Sequence, residues 1–179
     1  MQVGPWKNLA SLSEQDALLK PEADRSNVDG TAADGDRQEK QEEPVTPFEL
    51  DPRLARDSDL VARLDLCQLR LSRDARWPWL ILIPERNAVS ETFELSSAEQ
   101  ATLSRETNRV AEALKRVTGA TKINIGALGN IVRQLHVHVV ARTEGDANWP
   151  GPIWGFATAE AWDTAKRDDF LNRLTESLT

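Results

Sequence analysis

The chain has 179 residues, room for one domain of ordinary size and some additional tail. Its 22 Lys+Arg stand against 29 Asp+Glu, a net charge of −7, which argues against a protein that coats nucleic acid or an anionic membrane. The single cysteine, Cys67, excludes an internal disulfide framework and a thiolate zinc site. No stretch approaches the ~18 apolar residues of a bilayer span, and the first residues lack the apolar core of a signal peptide. These features predict a soluble protein of the cytoplasm.

Residues 1–46 hold five basic and ten acidic residues and few apolar ones after Pro21. Such a segment buries too little apolar area to offset its ordering entropy and is expected to be a disordered acidic leader. A short amphipathic helix around Trp6, Leu9, Leu12, Leu18 and Leu19 is the alternative for its first part. Residues 47–179 then form one domain.

Within it, 47–56 (PFELDPRLAR) mixes a turn with a short helix. Residues 66–71 alternate after Cys67 and predict a half-buried strand. The polar stretch 72–76 predicts a hairpin turn. The continuous apolar run 79–83 (WLILI), closed by Pro84, predicts a central strand covered on both faces. Ser96 and Glu99 have capping-box spacing, and Leu103, Thr107, Val110, Leu114 and Val117 recur at helical steps up to a stop at Gly119. Residues 121–125 alternate as a strand, 126–130 (GALGN) form a small-residue loop, and 134–141 form another strand. Residues 158–178 predict a second amphipathic helix that buries Trp162, Phe170, Leu171, Leu174 and Leu178. The sum is an α+β domain, an antiparallel sheet with helices packed on it.

The chain's only histidines are His136 and His138. Side chains on a strand alternate between faces. In 134–141 (QLHVHVVA) one face therefore carries Leu135, Val137, Val139 and Ala141, and the other carries Gln134, His136, His138 and Val140. The first belongs to a core. The second lines up three polar groups at about 6.8 Å spacing, which reads as the floor of a site. Histidine suits acid–base, nucleophilic or ligand work near neutral pH. Gly126 and Gly129 in the preceding loop allow a backbone to approach a phosphate closely. A metal site on the two histidines would need further ligands from Asp, Glu or Cys67, and no acidic residue flanks the pair.

The stretch 124–142 (NIGALGNIVRQLHVHVVAR) resembles the signature of the histidine triad (HIT) superfamily. Gly129 stands seven residues before His136, and Asn124 stands twelve before it. The stretch 73–84 (RDARWPWLILIP) is similar to the strand pair entering the family's nucleotide site. Residues 149–154 (WPGPIW) resemble the C-terminal segment of a bacterial, diadenosine-tetraphosphate-hydrolase-like branch. The resemblance implies a HIT-like nucleotide-binding domain over 47–179. It also implies cleavage of a nucleoside phosphate ester, anhydride or amidate, such as a diadenosine polyphosphate, at the α-phosphorus. His136 would be the nucleophile, forming a nucleotidyl-histidine that water releases as a nucleoside monophosphate. His138 would hold the α-phosphate oxygens, with Gln134 in the place of the first triad histidine. Asn124, Gly129 and Asn130 would reach the phosphates or the leaving group. Asp74, or Ser72 in the same turn, would meet the ribose, and apolar residues of 66–71 would wall a purine base. No cofactor is implied, no metal is needed for the chemistry, and the partner besides the nucleotide is a second copy in a homodimer. Trp79 stands where many members have a histidine. With two family histidines replaced, a nucleotide-binding module without useful turnover is the competing reading.

Overall fold

The computed structural model describes residues 47–178. The acidic leader and its amphipathic alternative lie outside the described residues. A short helix α1 (Pro52–Asp57) begins at Asp51, whose carboxylate accepts from the Arg53 amide, with proline in the first turn. Strand β1 (Ser58–Arg63) follows directly. Strand β2 (Cys67–Ser72) and strand β3 (Trp79–Pro84) are joined by the turn 73–78. After a single 3₁₀ turn, Thr92–Glu94, comes helix α2 (Ser97–Thr118). Ser96 and Glu99 close its capping box, and Gly119 ends it. Strands β4 (Lys122–Gly126) and β5 (Val137–Arg142) and helix α3 (Thr164–Leu178) complete the domain.

All pairings are antiparallel, in the order β1-β2-β3-β5-β4. Period-two alternation then sorts side chains to two faces. On one face Cys67, Leu69, Leu71, Leu80, Leu82, Val137, Val139 and Ala141 meet Leu103, Val110 and Leu114 of α2 and Phe170 and Leu174 of α3. The opposite face is covered by other segments. Phe48, Leu50 and Leu54 pack on Ile81 and Ile83, while Ile153, Trp154 and Phe156 pack around Trp77 and Val140.

Several expectations need correction. Residues Ser58–Arg63, which carry no strand signal in the reading above, form β1 and pair at the sheet edge, with an irregularity between Leu60 and Ala62. β2 is buried along its whole length instead of half-buried, and on its polar side Arg70 is held by Ser58 and Gln68, and Gln68 by Glu85. β5 starts at Val137, so Gln134 precedes the strand. α3 starts at Thr164 rather than 158. Trp162 lies before it, stacked on Phe170 and donating its indole N–H to the Ser72 carbonyl.

Candidate active site

The second sheet face opens into a cavity of about 660 Å³. His136 and His138 form part of its lining, with Gly129 and Asn130 of the β4–β5 connection and Ser72 and Asp74 of the β2–β3 turn. Six of the candidate residues therefore share one cavity. Both imidazoles are 7 % exposed, their centroids 4.8 Å apart and their planes nearly perpendicular.

The hydrogen bonds define the histidine tautomers. Nδ1 of His136 lies 2.7 Å from the main-chain carbonyl of Gln134. A carbonyl only accepts, so Nδ1 carries a proton, and in the neutral ring Nε2 keeps the lone pair. Nδ1 of His138 accepts from the indole Nε1–H of Trp79 at 3.0 Å. Burial, with His136 alongside, depresses the pKa of His138 to about 3. His138 is therefore neutral at physiological pH.

Two site candidates do not line the cavity. The Gln134 side chain faces the segment before α1, its carbonyl oxygen accepting from the Asp51 amide at 2.9 Å and its amide donating to the Glu49 carbonyl at 2.8 Å. It contributes to the site through its main-chain oxygen on His136. Asn124, on β4 opposite Val140, accepts from the Arg142 guanidinium at 3.4 Å.

Asp74 lines the cavity with its carboxylate already engaged. Arg76 binds both oxygens, the closest contact being 2.6 Å, and the Arg76 and Glu160 amides donate to one of them. Burial is the largest single influence on Asp74 and opposes its ionisation, yet the Arg76 side chain, the Arg76 and Glu160 amides and the Arg76 charge together outweigh it and hold the carboxyl below its usual range. Ser72 accepts from the Asp74 amide. Arg70, Arg73 and Arg76 go to separate partners. Arg70 is buried on Ser58 and Gln68, Arg73 pairs with Asp59, and Arg76 pairs with Asp74.

A strap over 146–161 closes one side. Arg142, 1 % exposed, binds both oxygens of Asp146 and the carbonyls of Ala147 and Gly151. Trp77 donates to the Ala147 carbonyl, Arg76 to that of Phe156, and the Ala75 amide to that of Glu160. The turn and the strap are thus one hydrogen-bonded unit. Its side chains Ile153, Trp154 and Phe156, with Trp79, Leu128, Ile131 and Val132, form the apolar wall. This corrects the expected base wall, since the apolar residues of β2 point into the helix-side core.

Trp79 and Trp154, which from sequence alone read as pocket-lining or as packing residues, both line the cavity, and the strap as a whole is the part of the site without a local sequence signal. Trp77 is a core residue, 1 % exposed. Cys67 is buried, and burial and Glu106 push its thiol pKa up, so it has no nucleophilic role. Among the described residues no group of three His, Cys, Asp or Glu side chains could hold a metal ion, and no helix is long and apolar enough to cross a membrane.

Comparison with known proteins agrees with this architecture. The HIT domain family model matches residues 53–145. A histidine triad (HIT) protein of Sinorhizobium meliloti superposes with a TM-score of 0.71 at 59 % identity, over 73 % of this chain and 96 % of that one. A histidine triad protein of Bradyrhizobium japonicum gives 0.74 at 40 % identity, over 75 % of this chain and all of that one. AP-4-A phosphorylase of Mycobacterium tuberculosis is 33 % identical over 119 residues, 63 % of this chain. The match spans 61 % of the length of that curated relative. The antiparallel five-stranded sheet, its helices and these matches together show that the chain belongs to the HIT domain family.

Proposed function

We propose that the protein transfers a nucleotidyl group from a nucleoside phosphate anhydride, ester or amidate to water or phosphate through His136. The observation that carries this reading is the anchoring of His136 Nδ1–H on the Gln134 carbonyl. It leaves the Nε2 lone pair as the nucleophile, beside His138 in the same cavity. Nε2 of His136 attacks the α-phosphorus, a P–N bond forms, and the bond from phosphorus to the leaving group breaks. Nε2–H of His138 donates to a nonbridging oxygen as charge builds there. Water then attacks the nucleotidyl-histidine, the P–N bond breaks, and a nucleoside monophosphate leaves. With inorganic phosphate as the acceptor, the product is a nucleoside diphosphate, the chemistry that the name of the mycobacterial relative describes. Gly129 and Asn130 offer donors to the phosphates, and the apolar wall offers a surface for the base. As in the family resemblance, the working form is a homodimer, checked by sedimentation equilibrium.

The test is nucleotide release from diadenosine tetraphosphate and from adenosine phosphoramidate, with and without phosphate and with and without EDTA. Wild type should release AMP, or ADP with phosphate, through an acid-labile adduct. His136→Ala should lose turnover by roughly 10³-fold or more. EDTA should change nothing. Tight AMP binding with no release from either substrate would replace this reading with that of a binding module.

A further inference from the structure

We propose that Trp79 is a positioning residue whose indole N–H, donated to Nδ1 of His138, locks that imidazole into the tautomer presenting Nε2–H to the cavity. The role rests on the reading of His138 as the phosphate donor. Register creates the contact. Trp79 pairs with Val140 across β3 and β5, so His138, two residues earlier, is its diagonal neighbour on the same face. The two rings meet edge to face at 5.2 Å between centroids, with the N–H···N distance 3.0 Å.

Residue type makes this a lock. Histidine, glutamine or serine at position 79 could donate or accept, so His138 could settle in either tautomer. Indole only donates. Nδ1 of His138 must then stay bare, and its single proton sits on Nε2. The ring is 7 % exposed and also faces Trp154, at 5.9 Å, and His136, at 4.8 Å. His136 is fixed the opposite way by the Gln134 carbonyl. Two adjacent imidazoles thus offer the cavity one lone pair and one N–H. Free histidines would exchange these states. Trp79 makes the pair asymmetric, one partner for the phosphorus and one for its oxygen.

The experiment is ¹⁵N NMR of the full chain, labelled on nitrogen, read through long-range imidazole correlations. In wild type His138 should show a protonated Nε2 and a bare Nδ1, with a scalar coupling between Trp79 Nε1 and His138 Nδ1 across the hydrogen bond. Trp79→Phe keeps an aromatic ring and removes the donor. It should give a mixture of His138 tautomers and lower kcat/KM roughly ten-fold, the worth of about one hydrogen bond. Trp79→His, whose ring can donate or accept, should likewise leave His138 in both tautomers and fall short of the wild-type rate. A purely structural Trp79 would lower the stability of the phenylalanine variant without moving the tautomer, and that result overturns the proposal. So does a wild-type spectrum with the His138 proton on Nδ1 or without the coupling, which decides the matter even if the variants fail to fold. The spectrum does not depend on turnover. An inactive wild type with a locked His138 would count against the proposed reaction and leave the lock standing.

Discussion

His138 links the chemistry of the site to the stability of the domain. Its folded pKa of about 3 lies below the ordinary histidine value near 6.5 in the unfolded chain. Between those values the unfolded chain binds more protons, so stability rises with pH through that window and falls on acidification. The slope from this one group is at most about 1.4 kcal/mol per pH unit. Urea unfolding at about pH 7, 6 and 5 should show the loss, and His138→Gln should flatten the curve relative to wild type. Gly129 provides a second test at this scale. It adopts φ of 70°, and an added Cβ would meet only the Val132 and Arg133 carbonyl oxygens at 3.7 and 4.0 Å. The cost of Gly129→Ala is therefore one of backbone conformation, about 1 kcal/mol in urea unfolding. Gly126 differs, since its added Cβ would lie 3.2 Å from the Trp154 ring and press on the cavity wall directly.

At the level of elements, β5 serves both the site and its cover. The strand that carries His138 ends at Arg142, whose guanidinium grips the strap through Asp146. Arg142→Met would remove the charge, leaving the Asp146 carboxylate with the Thr143 amide, the Ala147 carbonyl with Trp77, and the Gly151 carbonyl without the Arg142 donor. Breaking a buried pair from one side costs about 3–5 kcal/mol, so the variant should melt well below wild type and expose the strap to limited proteolysis. The sequence displayed the elements whose signals are local. The WLILI run, the capping box before α2, and the two-residue period placing Val137 and Val139 opposite His138 all match the structure. It also displayed the histidine pair. What it hid depends on distant partners. Gln134 looks like a third site residue, but its amide is held by Asp51 and Glu49, 83 and 85 positions away. Glu106 interrupts a helix stripe, and only the tertiary structure shows that it accepts the Leu66 and Cys67 amides. The burial of Arg70 likewise requires Ser58 of the unforeseen β1.

For the molecule as a whole, the described fold lies within the unit Pro44–Thr179. A chain lacking residues 1–43 should unfold in one transition, with a Tm close to that of the full chain. Calorimetry of both would show this, and a large drop in Tm would make the acidic leader part of the fold. The aromatic composition has a practical consequence as well. The chain has six tryptophans and no tyrosine, so its ultraviolet emission comes almost entirely from indoles. Two of them, Trp79 and Trp154, line the cavity within contact of His138. A nucleotide entering there would displace water from both rings and change their emission. The protein thus carries its own optical reporter, and a titration with AMP could follow occupancy without any label.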